Sequence, residues 1–202
     1  MKIRWAFARV GSSPTARTIN RNESDLTPLE QRYWDEIRSK DGQLRTFLTG
    51  SALADERNPA AWFAYLTAIR DILGNTSNSL SYVATLLVKD YLADRFGITD
   101  FDAASKPQGA AGIDVEIVTP TGLTIVAELK TTKPYQPGFG AAQKANIKKD
   151  MERLAITEAD HRIMFVTDPN AFSTLCSPSY RERYPAVEIV NVLTGDSSQS
   201  VS

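Results

Sequence analysis

The chain has 202 residues, 42% of them hydrophobic and 23% charged, which suits one domain able to bury a substantial core. Lysine plus arginine numbers 23 against 24 acidic residues, so the net charge of −1 argues against a binder that works through an overall basic field, while a local basic face is still allowed. One cysteine (Cys176) and one histidine (His161) exclude an internal disulfide framework and a Cys/His zinc site.

A Ser-His or Cys-His hydrolase would need His161 as its base. That residue opens the apolar run His161-Arg-Ile-Met-Phe-Val-Thr, which reads as a strand, so a structural role is expected for it. No apolar stretch approaches the ~20 residues that cross a membrane. Arg9 interrupts the weakly apolar start before a signal-peptide core forms, and a cytoplasmic protein without a membrane partner is expected.

Residues 1–20 show no periodicity and are expected to be a disordered extension. Residues 9–18, Arg-Val-Gly-Ser-Ser-Pro-Thr-Ala-Arg-Thr, also resemble the peptide read through the 3′ half of a transfer-RNA gene, where the T-loop encodes Gly-Ser-Ser-Pro. Such genes are common integration points for mobile DNA, so that resemblance implies a defence or mobile-element setting. A plain flexible N-terminus explains the same residues.

Helices follow. Thr27-Pro28 is an N-cap and first position for a helix over residues 29–40. A second helix is expected over 59–73, capped by Asn58, with Trp62, Tyr65, Leu66, Ile69 and Ile72 or Leu73 on one stripe and Gly74 as its stop. A third, over 79–96, turns Leu80, Val83, Leu86, Leu87 and Tyr91 inward and stops at Gly97. The pattern then changes. The turn-rich segment 106–112 leads into β-type runs at 113–118 and 123–131, joined by Thr119-Pro-Thr-Gly122 as a hairpin. A helix over 141–156, a strand over 161–167, a partly helical segment over 169–184 and a strand over 186–193 complete the order. Residues 194–202 are polar and expected to be a flexible tail. The order predicts an α/β domain with a mixed sheet of four or five strands flanked by helices, and a helical N-terminal part.

Alternate residues of a strand share a face, so Glu128 and Lys130 stand together, and the hairpin brings Asp114 alongside. Two carboxylates and an ammonium at the end of apolar strands are costly to bury without a purpose. The carboxylates of Asp114 and Glu128 and the carbonyl of Leu129 are hard oxygen ligands of the kind Mg²⁺ prefers. Such a centre suits phosphodiester hydrolysis, with Lys130 orienting the attacking water and stabilising developing charge. The bland alternative is a surface hairpin carrying an ordinary Glu-Lys pair.

Gly112-Ile-Asp114-Val-Glu-Ile, a short turn, then Ala127-Glu128-Leu129-Lys130-Thr131-Thr132 resembles the PD-(D/E)XK nuclease signature, whose largest group is the type II restriction endonucleases. Ile113 stands where the name-giving proline would be, a position that varies widely in the family. The likeness is close over residues 112–132 and loose over 79–193. It implies a restriction-endonuclease-like core, a nuclease domain over 21–193 (helical part 27–97, catalytic part 98–193), and Mg²⁺ as cofactor with Mn²⁺ able to substitute. Asp114 and Glu128 would be metal ligands and Lys130 the catalytic lysine.

On the helix after the hairpin, Gln143, Ile147, Met151 and Leu154 recur on one stripe. Gln143 is a candidate to hydrogen-bond a catalytic side chain or a phosphate, or else a first-turn glutamine. Lys144, Lys148 and Lys149, with Arg153 nearby and Lys133 before them, form the densest basic patch, suited to a DNA backbone or simply solvated. Glu116, Asp90, Asp94 and Glu56 are candidates for a further acidic group, and Tyr135 and Phe139 for nucleic-acid contact or core filling. The leading expectation is a homodimeric, type II-like endonuclease acting on double-stranded DNA. A repair, recombination or other defence nuclease, or a non-catalytic nucleic-acid-binding module, are the alternatives.

Overall fold

In the computed structural model, which describes residues 26–51, 57–106, 110–134 and 139–199, the chain begins as three helices. The expectations for residues 1–20, Glu56, Tyr135 and residues 200–202 lie outside the described residues.

Helix α1 (Pro28–Gly50) starts on a capping box: Thr27 Oγ1 accepts from the Glu30 N–H, and the Glu30 carboxylate accepts from the Thr27 N–H. It runs past residue 40, where the sequence suggested an end. Gly42 costs a helix only about 1 kcal/mol, and the i,i+4 pairs Glu36–Lys40 and Asp41–Arg45 support the turns on either side of it. Helix α2 (Pro59–Leu73) is capped by Asn58 and ends at Gly74, as its signals indicated. Its apolar stripe is only partly covered, because it leans mainly on α1; Leu66 and Phe63 are exposed.

Helix α3 (Thr76–Phe96) packs in two directions. Tyr82 and Leu86 meet Ala103, Ala104, Trp34 and Ile37, while Val88 and Leu92 meet the sheet. This double contact explains why the buried set is wider than one stripe and includes Ala84 and Lys89, while Leu80 lies outside it and is exposed. Lys89 reaches the fully buried Glu30 of α1 at 2.7 and 2.9 Å, and the Ala103 N–H donates to the same carboxylate at 2.7 Å. Tyr82 Oη donates to the Glu30 carbonyl at 2.7 Å. This cluster joins α1, α3 and the segment leading to the sheet.

The sheet has four strands in the order β1-β2-β3-β4: β1 (Val115–Val118), β2 (Thr124–Lys130), β3 (His161–Val166) and β4 (Glu188–Asn191). β1 and β2 are antiparallel, closed at Thr119, whose N–H bonds the Leu123 carbonyl at 2.7 Å. β2-β3 and β3-β4 are parallel, as required when the helix α4 (Ala141–Ile156) and then α5 (Pro169–Leu175) and α6 (Pro178–Arg183) form the crossovers. Strand alternation divides the core: Val126, Met164, Val166 and Ile189 pack under α4 and α5, whereas Ile125, Ala127, Ile163, Phe165 and Val190 pack under α3. His161 opens β3 with its ring 4.9 Å from that of Phe96.

Residues 194–199 correct the expectation of a flexible tail. Ser197 bridges Val190 antiparallel, the Ser198 N–H bonds the Ile189 carbonyl at 2.9 Å, and both serines are buried. Polar side chains are retained there because Ser197 and Ser198 satisfy the otherwise unpaired edge of β4 and the buried Glu188. No helix among the described residues is long and apolar enough to cross a membrane.

Candidate active site

The register Val115↔Ala127 places Asp114, one step before β1, directly opposite Glu128. Its Oδ2 accepts the Leu129 N–H at 2.9 Å, so the first carboxylate is tied to the strand that carries the second. In an extended strand the N–H and C=O of one residue point the same way. The Leu129 carbonyl therefore points to the Asp114 edge, while the Lys130 carbonyl points to β3 and accepts from Thr167. Asp114 and Leu129 border a cavity of about 90 Å³ that Ser81, Thr85 and Lys106 also line. Lys106 Nζ donates to the Ile113 carbonyl and anchors the segment that delivers Asp114.

On the α4 face of β2, away from the Leu129 side chain and shared with the position of Asp114, Glu128 and Lys130 stand two residues apart. The Glu128 side chain is 2% exposed and that of Lys130 is 23% exposed. Helix α4 adds two groups that the sequence reading did not assign to the site. Asp150 Oδ2 lies 2.7 Å from Lys130 Nζ, and its Oδ1 accepts from Arg153 Nη2. The same Nη2 lies 2.9 Å from Glu128 Oε1, and Lys130 Nζ lies 3.8 Å from Glu128 Oε2. Neither Glu128 Oε1 nor Arg153 Nε, both buried, has a hydrogen-bond partner among the described residues.

Three carboxylates thus face two cations. Burial, followed by the charges of Asp114 and Asp150, pushes the Glu128 carboxyl up to about 8 against the opposing pull of Lys130 and Arg153. A carboxyl whose pKa is higher folded than unfolded holds its proton more tightly in the native state. The stability this contributes is present below the ordinary carboxylate range and is lost as pH rises through about 8. Thermal melts in EDTA at pH 5.5, 7 and 8.5 should therefore fall with pH more steeply for the wild type than for Glu128→Gln. Parallel slopes for the two proteins would contradict this account of the carboxyl.

The other candidates fall into place around this centre. Gln143 spans the loop after β2 and the start of α4: its Oε1 accepts the Gly140 N–H and its Nε2 donates to the Lys133 carbonyl, both at 3.2 Å. It makes no hydrogen bond to Glu128 or Lys130. Lys133, Lys144, Lys148 and Lys149 are exposed, with Lys148 3.7 Å from Glu152. Arg153 leaves that basic patch and turns inward. Glu116 and Asp94 are exposed and Asp90 half-buried on α3; Asp150, not one of these, is the further carboxylate that acts on Glu128. Phe139 fills the core beneath α4, 1% exposed and in the left-handed region at φ 66°.

Among the described residues, no three His, Cys, Asp or Glu side chains converge as a ready metal cage. The donor chemistry nonetheless fits a small hard cation. The site carries an excess carboxylate, Glu128 Oε1 is buried without a hydrogen bond, and the Leu129 carbonyl points to the Asp114 edge. No protein-family model, curated protein or solved structure matches the chain.

Proposed function

We propose that the chain is a magnesium-dependent endonuclease of the PD-(D/E)XK type that hydrolyses phosphodiester bonds of double-stranded DNA in the cytoplasm. The observation that carries the reading is the meeting of Asp114, Glu128 and Lys130 across one hairpin, with more carboxylate than cation around the buried Glu128. Asp114, Glu128 and the Leu129 carbonyl would hold the ion. When bound, magnesium, or manganese in its place, acidifies water and neutralises charge developing on the phosphorus. Lys130, held by Asp150 with its ammonium partly exposed, orients the attacking water and stabilises negative charge beside it. Gln143 keeps the loop that follows β2 against the start of α4. Lys133, Lys144, Lys148 and Lys149 present positive charge to the DNA backbone.

A homodimer would supply one centre per strand, and a restriction role fits a compact core with one helical region left for sequence recognition. Incubation of the protein with phage DNA and Mg²⁺ separates the biological roles. Discrete fragments support a restriction endonuclease; a smear or cleavage only at branched DNA supports a repair, recombination or other defence nuclease. Retention of DNA with no cleavage in Mg²⁺ or Mn²⁺ contradicts the enzyme and leaves a binding module.

A further inference from the structure

The four ionisable groups under α4 form a closed ring, Glu128–Arg153–Asp150–Lys130, but its two acidic corners are unequal. Asp150 engages both cations closely: Lys130 Nζ at 2.7 Å through Oδ2, and Arg153 Nη2 through a hydrogen bond to Oδ1. Glu128 receives only the looser sides of the ring, with Lys130 at 3.8 Å and Arg153 at 2.9 Å without a hydrogen bond to Oε1. Asp150 and Arg153 are one helical turn apart on α4, so their pairing is set within the helix. Lys130 joins them from β2. Both carboxylates are desolvated, at 7% and 1% exposure, so small displacements of the cations change the pairing strongly.

We propose that Asp150 is a positioning residue that holds Lys130 and Arg153 off Glu128, leaving the Glu128 carboxylate available to a divalent cation. The inference rests on the metal-dependent reading above. Without the charge of Asp150, the two cationic heads have one buried carboxylate left on their face of the sheet. They close on Glu128 and compete with the metal for it. Arg153 is the stronger competitor, because its Nη2 lies 2.9 Å from Glu128, against 3.8 Å for Lys130 Nζ.

The test is Mn²⁺ binding to the DNA-free protein, read from the paramagnetic resonance signal of free Mn²⁺. Asp150→Asn should weaken binding about 10-fold or more, the size of effect known for partners that hold metal ligands in place. Asp150→Asn with Arg153→Gln should recover binding to within about threefold of the wild type. Asp150→Asn with Lys149→Gln removes the same formal charge from a neighbouring position and should not recover it. Arg153→Gln alone should tighten binding about threefold, and it carries the test if Asp150→Asn melts far below the wild type in EDTA. Wild-type affinity in Asp150→Asn overturns the proposal, as does equal recovery in the two double variants, which would mean that only summed charge matters. In either case a wild type that binds Mn²⁺ leaves the metal-dependent reading standing. A wild type that binds no Mn²⁺ overturns both.

Discussion

Lys130→Met is expected to lower single-turnover DNA cleavage by about 100- to 1,000-fold, the usual effect of losing one group that stabilises developing charge in a preorganised site. The Lys130 ammonium combines a fixed position with partial exposure. Asp150 holds it at 2.7 Å, and the side chain is 23% exposed. Arg153 cannot replace it, since its guanidinium is occupied by Asp150 and Glu128 on the α4 side. Methionine keeps the aliphatic stem, and Asp150 keeps its hydrogen bond from Arg153, so the fold should tolerate the change. DNA retention on a filter should change little, because the exposed lysines of the loop and α4 supply the backbone contacts. Wild-type cleavage by Lys130→Met would remove the lysine from the chemistry.

The second large effect lies away from the site. Lys89→Met should cost about 3–5 kcal/mol, because it leaves Glu30 as an uncompensated charge in a fully buried position. For a chain of this size that corresponds to a fall in melting temperature of roughly 10 °C. Burial raises the Glu30 carboxyl, but Lys89 and the N–H groups of Thr27 and Ala103 outweigh burial and hold it below the usual range. Stability from this group is present above the ordinary carboxylate pKa and lost as pH falls through the depressed value. Its sign is opposite to that of Glu128, so the metal-free protein should be most stable between the two transitions. Adding Glu30→Gln to Lys89→Met should restore part of the loss, since a neutral amide no longer needs the ammonium. A melting point within about 2 °C of the wild type for Lys89→Met would contradict the clamp.

The same contrast explains what the sequence could reveal. Helix α4 is found at residues 141–156, where it was expected, because Gly140 precedes it and Ile147, Met151 and Leu154 keep helical spacing without interruption. The hairpin and the Glu128–Lys130 face follow from strand parity, and Asp114 from the short turn. Asp150 was also legible in principle. It sits at the i+3 position between Ile147 and Leu154, on the buried stripe, so a charged residue there had to find partners. Its partners were not legible, since Lys130 lies on another element and Arg153 reads as part of an exposed basic face. The Glu30–Lys89 pair joins residues 59 apart, and nothing local in either helix announces it. Leu80 and Leu66 look like core positions by periodicity but are exposed, because α2 and the start of α3 have few neighbours to bury them. The tail misled for a related reason: Ser197 and Ser198 are polar, yet they are buried because they complete the edge of β4.

The central claim is a metal-dependent phosphodiester-cutting centre built on Asp114, Glu128 and Lys130. Its most direct test is cleavage of supercoiled plasmid by EDTA-treated protein as Mg²⁺ is added back, with Asp114→Asn run beside the wild type. The account predicts nicked and linear DNA that appear only with Mg²⁺ or Mn²⁺, and a loss of at least about 100-fold in Asp114→Asn. Cleavage that persists in EDTA, or that is equal in the two proteins, would contradict it.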